Sequence, residues 1–110
     1  MDALEKTVQE LRAGRTVLYY APGPRCDEAM RLLVARLHGE TRRVRWGHGM
    51  REIVHETGAF VRFFRTIASL RGATAHVVVM DHGRMPSDDE LDCLRVSTNG
   101  RDDGEVFVSC

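Results

Sequence analysis

The sequence is poor in cysteine, proline and lysine, with three, three and one of them in 110 residues, and it has no long apolar run. Cys26, Cys93 and Cys110 stand far apart without a C-x-x-C pair, so we expect reduced thiols rather than disulfides or a zinc cluster. A membrane-spanning helix needs roughly 20 consecutive apolar residues. We therefore expect no membrane span. Because the first residues lack the basic start and apolar middle of a signal peptide, we also expect a cytoplasmic protein.

The remaining composition is that of one ordinary globular domain. A chain of 110 residues is long enough to bury roughly two thirds of its unfolded surface around a single core. We expect one domain over residues 1–110, because no linker, internal repeat or low-complexity segment interrupts the sequence.

Positive and negative charges balance overall but are distributed unevenly along the chain. Residues 36–86 carry nine arginines against four acidic residues, and residues 87–110 carry seven acidic residues against two arginines. Such asymmetry is typical of a nucleic-acid face or of surfaces that attract one another between subunits. An ordinary solvated surface is a simpler explanation than either of the two.

Apolar spacing predicts two helices around a strand in the first third of the chain. The period from Asp2 to Ala13 indicates an amphipathic helix, and TVLYY, Thr16–Tyr20, indicates a buried strand that ends at Ala-Pro-Gly-Pro. A second helix is expected with Asp27 and Glu28 in its first turn, where carboxylates favour the positive end of the helix dipole. The alternation in RRVRW, residues 42–46, then predicts an edge strand or a half-exposed strand.

Residues 51–65 fit either one helix or two strands around a glycine-containing turn, and we favour the hairpin. The run AHVVVM, Ala75–Met80, predicts a buried strand with Asp81 at its carboxyl end. Ser87 and Glu90 have the spacing of a capping box and predict a helix start, and the chain ends in a short strand over Glu105–Ser109. This order of elements predicts an α/β fold with a small, mostly parallel sheet flanked by helices.

Three stretches, TVLYYAPGPRCDEAMRLL, TGAFVRFF and SLRGATAHVVVMDHG, resemble a series found in bacteriophage terminase large subunits and related helicase-type ATPases. The first resembles the strand and helix of motif Ia, the second a hairpin strand, and the third the Walker B strand. The resemblance covers residues 15–83, and FVS near the end resembles the motif III strand. It implies a truncated, phage-encoded relative of the P-loop ATPase core.

The resemblance also implies which parts of a nucleotide site are missing. Hydrolysis in that family needs a G-x-x-x-x-G-K-[ST] loop, which this sequence lacks. Asp81 corresponds to the Walker B acid and is the one cofactor-site residue that the resemblance assigns. The family's next residue is a glutamate that orients the attacking water, whereas this chain has His82. We therefore expect no autonomous ATPase activity and no cofactor, and we treat Lys6 as a surface lysine.

The basic middle of the chain supplies a candidate nucleic-acid site. Alternation along a strand places Arg43 and Arg45 on one face, and Trp46 offers a surface on which a base could stack. Arg62 and Arg65 complete the candidate set. The zero net charge limits the strength of such binding. None of the five histidines has metal-ligand spacing, so we expect no metal site.

These observations favour a catalytically inactive binding module that acts by protein–protein association, with nucleic acid as a secondary ligand. Sheet edges left by the missing ATPase strands need covering, and a homodimer is one physical solution. A different protein partner is another. The alternatives are a subunit whose Asp81 completes a nucleotide site in trans, and a small DNA-binding regulator for which the resemblance is accidental.

Overall fold

The computed structural model describes residues 2–47, 50–66, 69, 73–81, 87–96, 98 and 104–109, so that His82 lies outside the described residues. The helices are α1 (Ala3–Arg12), α2 (Pro24–Arg36) and α3 (Asp88–Val96). The strands are β1 (Val17–Tyr20), β2 (Thr41–Gly47), β3 (Met50–His55), β4 (Phe60–Phe64), β5 (Val77–Asp81) and β6 (Glu105–Ser109). None of the helices in these ranges combines the length and the apolar character that crossing a bilayer requires.

All six strands form one mixed sheet in the order β2-β3-β4-β1-β5-β6. The pairs β1–β4, β1–β5 and β5–β6 are parallel, whereas β2–β3 and β3–β4 are antiparallel. The expected α/β class with flanking helices is therefore confirmed, but the expectation of a mostly parallel sheet is not. The short connections before and after β3 allow only antiparallel hairpins, because a parallel crossover needs about a dozen residues.

Residues 51–65 form the hairpin that the sequence favoured over a helix. Ile53 on β3 pairs with Val61 on β4, and both are fully buried. The turn between the strands contains Gly58 at φ +92°, a backbone conformation that glycine adopts without steric cost. Tertiary burial of alternate residues on both strands thus decides the ambiguous segment.

Helix ends follow the local capping chemistry. Asp2 accepts a 2.8 Å hydrogen bond from the Glu5 amide and so caps α1. The expected capping box at α3 is confirmed, since the Ser87 amide donates to Glu90 and the Glu90 amide donates to the Ser87 hydroxyl. Helix α2 begins earlier than expected, at Pro24, because the fixed φ and missing N–H of proline suit a first helical position.

The sheet has two unlike faces. Helices α1 and α2 pack on one face, which we call the helical face, where Leu11 and Leu33 meet Tyr19 and Val79 in the main core. The opposite face carries a smaller cluster that includes Leu18, Tyr20, Val78 and Met80. Val78 is fully buried, as expected for the central parallel strand.

The direction of winding reverses between β1 and β5. From β1 the chain continues through α2, β2 and β3 to β4, which lies on one side of β1, whereas from β5 it continues through α3 to β6 on the other side of the sheet. In open α/β sheets, ligand sites lie outside the carboxyl ends of the strands at such a reversal. Asp81, the last residue of β5, lies at that end.

Candidate functional site

A cleft of about 570 Å³ lies at the carboxyl end of β5, beside the first turns of α1 and α2. Its charged lining residues are Asp2, Arg25, Glu28 and Asp81. Three carboxyl groups therefore share the cleft with one guanidinium. This balance attracts cations rather than the phosphate groups of a nucleotide.

Asp81 is held by two neighbours inside this cleft. Its Oδ2 accepts a 2.6 Å hydrogen bond from the Tyr19 hydroxyl, and its Oδ1 lies 3.0 Å from Nε of Arg25. The Asp81 side chain is only 13% exposed. Both carboxylate oxygens are thus engaged within the fold, and a metal ion could bind Asp81 only by displacing Arg25 or Tyr19.

Tyr19 donates a hydrogen bond to Asp81 and stays protonated. Burial raises the pKa of the Tyr19 hydroxyl, and the hydrogen bond to the Asp81 carboxylate raises that pKa further. Tyr19 also packs on Phe63 with ring centroids 5.3 Å apart, which fixes its position on the helical face. The arrangement engages both oxygens of the Asp81 carboxylate within the fold.

Lys6 does not lie in the cleft and is not the surface lysine that the sequence predicted. Its Nζ lies 2.9 Å from a carboxylate oxygen of Glu10 and 2.8 Å from one of Glu105, and the side chain is 13% exposed. Burial alone would lower the pKa of Lys6, but the hydrogen bonds to these two carboxylates outweigh it and raise the pKa. Lys6 therefore ties α1 to the start of β6.

The candidate nucleic-acid residues divide between the two faces of the sheet. Arg45 lies opposite Glu52 on β3, and Glu52 lies opposite Arg62 on β4, so all three share the face opposite to α1 and α2. Arg43 lies in the next row of that face, opposite Val54. The structure thus brings together Arg43, Arg45 and Arg62, as expected for alternate residues of a strand.

Trp46 and Arg65 belong instead to the helical face. Trp46 lies opposite Arg51, and Arg31 of α2 is 5.9 Å from the centre of the Trp46 ring. Arg65 lies 2.8 Å from Asp27 of α2. The five predicted residues therefore do not form one surface, because residues 45 and 46 are adjacent in a strand and point to opposite faces.

Arg43, Arg45 and Arg62 form what we call the arginine surface. An aromatic residue that the sequence reasoning missed lies beside them. Phe60 lies in the same row as Arg43 and Val54, and the Arg62 guanidinium is 4.8 Å from the centre of its ring. Glu52 is almost fully buried and accepts a 2.8 Å hydrogen bond from Arg62, whereas Arg43 has no ion-pair partner among the described residues. The period-two alternation of FVRFF could have identified Phe60 beside Arg62.

Asp27 links helix α2 to two strands. It accepts hydrogen bonds of 2.8 Å from both Arg51 and Arg65. Burial would raise the pKa of Asp27, but these two hydrogen bonds outweigh it and lower the pKa. Burial raises the pKa of the neighbouring Cys26 thiol, which is fully enclosed, so Cys26 is a poor nucleophile.

A second polar cluster ties the turn between β3 and β4 to α1. Nε2 of His55 lies 3.0 Å from Glu40, which also accepts two 2.9 Å hydrogen bonds from Arg12. The Thr57 amide donates to Nδ1 of His55, and the Thr57 hydroxyl donates to the Leu11 carbonyl. The hydrogen bonds from Arg12 and His55 lower the pKa of Glu40 to about 2.

Glu40, His55 and Glu56 bring one ligand atom each within 4.8 Å of one another. Two features argue against a metal site there. Because Nδ1 of His55 accepts the Thr57 amide, the ring proton lies on Nε2, the nitrogen that faces Glu40. Both carboxylate oxygens of Glu40 moreover accept hydrogen bonds from the Arg12 guanidinium. The cluster therefore fits a structural hydrogen-bond network better than a metal centre.

Comparison of the chain with models of known protein families, with curated proteins and with solved structures finds no match.

Proposed function

We propose that this chain is a catalytically inactive binding module that associates with another protein chain through the free edge of β6. The observation that carries the proposal is the position of β6 as the last strand of the sheet, beside β5. Its central residues Val106, Phe107 and Val108 are uncharged. No other described strand pairs with the outer side of β6, and a strand edge left unpaired is a ready template for an added strand.

The two edges of the sheet differ in how readily they would pair with an added strand. Strand β2, at the other edge, carries Arg42, Arg43 and Arg45, and all three are exposed. Charged side chains on an edge strand discourage pairing with another chain. Strand β6 carries one charged residue, Glu105, and Lys6 neutralises it. The charge distribution therefore leaves β6 as the edge suited to association.

The strand order supports the likeness to a truncated helicase-type ATPase core. That likeness requires the TVLYY strand to lie beside the strand that ends in Asp81, and β1 pairs with β5 in parallel register from Val17–Val77 to Tyr20–Met80. The FVS strand, β6, then follows β5. In this interpretation β6 is the edge at which the missing part of the ATPase sheet would have continued.

A nucleotide site completed in trans is a poorer fit to the same geometry. The carboxylate that would hold Mg²⁺ is already bound by Tyr19 and Arg25, and Asp2 and Glu28 make the surrounding cleft acidic. A phosphate-binding loop from another chain would have to displace Arg25 and overcome that acidic lining.

Amide hydrogen exchange on a dilute sample tests whether the β6 edge is open. The Glu105 amide donates to the His76 carbonyl, so Phe107 also donates toward β5, whereas Val106 and Val108 direct their amides away from the sheet. We expect Val106 and Val108 to exchange at least about a hundredfold faster than Phe107. Equal protection of all three amides in the monomer would show that the chain covers its own edge.

Nucleic-acid binding is a second candidate function, favoured by the arginine surface. Arg43, Arg45 and Arg62 share one face of the sheet with Phe60, and α1 and α2 pack on the opposite face. Guanidinium groups beside an aromatic ring suit a single strand, whose phosphates and base faces are both accessible. Buried Glu52 neutralises part of this charge, so we expect weak binding that depends on salt.

A further inference from the structure

We infer that the partner of β6 is β6 of a second copy of the chain, paired antiparallel around a twofold axis at Phe107. This inference rests on the proposed function, because it names the occupant of the same edge. Two six-stranded sheets would join into one continuous sheet. A twofold arrangement of this kind is closed, so it ends at a dimer rather than a fibre.

The backbone of β6 presents the groups that this pairing needs. In a parallel ladder, the N–H and C=O of one residue point to the same side, and consecutive residues alternate. Since the Glu105 amide donates toward β5, the amide and carbonyl groups of Val106 and Val108 point outward. With Phe107 on the axis, Val106 of each copy faces Val108 of the other, and each such pair exchanges two backbone hydrogen bonds.

The side chains are also self-complementary in this register. Phe107 faces Phe107 of the second copy at the closely spaced, non-hydrogen-bonded position, where side chains across the strands are nearest. Val106 and Val108 lie together on the opposite face, beside the smaller core cluster. Glu105 lies opposite position 109, a serine, so no like charges meet.

Self-pairing through β2 would have the reverse character. Arg42, Arg43 and Arg45 occupy consecutive parts of one seven-residue strand, and antiparallel pairing would place arginines of the two copies within reach of one another. Like charges at cross-strand positions are destabilising. The charges of the two edges thus select β6 for the twofold contact.

Sedimentation equilibrium from micromolar to millimolar concentration, with a proline variant, tests the inference. We expect the wild-type chain to dimerise and Val108→Pro to weaken dimerisation by about thirtyfold or more, because two symmetric N–H donors are lost. Proline is tolerated on an edge strand, and Val108 does not donate to β5. Val108→Ala, the matched control, also loses the valine methyl groups but keeps its amide, and should still dimerise.

A wild-type chain that stays monomeric at millimolar concentration would overturn the inference, as would a Val108→Pro variant that dimerises like Val108→Ala. If Val108→Pro does not fold, amide exchange of the wild-type chain replaces it. Protection of Val106 and Val108 should then rise with concentration. Amides that exchange freely at every concentration would refute the homodimer while leaving the edge open to a different protein, whereas amides protected even in dilute monomer would refute the proposed function itself.

Discussion

Tyr19 and Asp81 join the carboxyl ends of the neighbouring parallel strands β1 and β5 through a 2.6 Å hydrogen bond between residues 62 positions apart in the sequence. Arg25 completes the arrangement from the start of α2. Asp81 is therefore a structural group in this fold. Tyr19 supplies the Asp81 carboxylate with a hydrogen-bond donor, and Arg25 supplies it with a positive charge.

A double-mutant cycle measures this coupling. We expect Tyr19→Phe to lower the free energy of unfolding by about 1.5 kcal/mol, since a hydrogen bond to a partly buried carboxylate is lost. In the Asp81→Asn background the same change should cost clearly less. Urea denaturation provides the four free energies. An equal cost of Tyr19→Phe in both backgrounds would contradict a structural role for this hydrogen bond.

Calorimetric titration with ATP and Mg²⁺ tests the claim that the cleft holds no nucleotide. We expect no heat of binding for the wild-type chain or for Asp81→Ala, because the cleft is acidic and the carboxylate is already paired. Arg25→Ala serves as a control that frees one oxygen of Asp81. Mg²⁺-dependent binding that disappears in Asp81→Ala would support the alternative of a nucleotide site completed in trans.

The Arg12–Glu40–His55 network predicts a specific loss of stability in acid. The pKa of Glu40 falls from an ordinary 4.5 to about 2 on folding, so its stabilising effect is complete above pH 4.5 and is lost as the pH falls toward 2. The difference in the free energy of unfolding between wild type and Glu40→Gln should shrink as the pH falls through this range. Urea denaturation at a series of pH values checks it. Arg12→Gln should remove much of the same pH dependence, and a constant difference between wild type and Glu40→Gln would contradict the assignment.

Oligonucleotide binding should be weakened by changes to the arginine surface and not by charge changes on the helical face. Replacing Arg43 and Arg45 by alanine should weaken binding of a single-stranded oligonucleotide and lower the slope of log affinity against log salt by about 1. Arg31 and Arg36 of α2 provide a control that removes the same charge elsewhere. Fluorescence anisotropy gives the slopes. The same slope in wild type and in Arg43→Ala/Arg45→Ala would eliminate the nucleic-acid function.

A charge buried on β5 should greatly lower the stability of the fold. Val78→Asp should cost several kcal/mol and unfold the domain, because Val78 is fully buried and offers an ionised side chain no partner in the smaller core cluster. Val44→Asp makes the same chemical change at a position that is 41% exposed, and should cost less than about 1 kcal/mol. Thermal melts compare the two. Similar melting temperatures for both variants would be incompatible with the strand assignment.

Local features of the chain could be predicted from its sequence, whereas long-range pairings could not. The spacing of Ser87 and Glu90 predicted the start of α3, and the alternation around Gly58 predicted the hairpin. Each depends on residues within a few positions of one another. The contacts of Asp81 with Tyr19 and Arg25 depend on strand order, which periodicity does not encode. The hydrogen bond between His55 and Glu40 likewise depends on how the hairpin turn meets the end of α2.

The arginine surface shows an intermediate case. Period-two alternation correctly grouped Arg43 with Arg45, and the same rule applied to Trp46 would have placed it on the opposite face. The position of Arg62 beside them requires knowledge of the strand order, because Glu52 on β3 lies opposite Arg45 on β2 and Arg62 on β4. Phe60 then follows from its spacing to Arg62.

Chemical-shift changes on dilution test most directly whether the chain associates through β6. Backbone amide spectra recorded from millimolar to micromolar concentration should show shifts centred on Val106, Phe107 and Val108, with smaller changes on β5 next to them. The helix starts around Asp2 and Arg25 on the far side of the cleft, and the arginine surface around Arg43, should stay unchanged. Shifts centred on the cleft or on β2 would contradict the account, because association would then use a surface other than the open edge of the sheet.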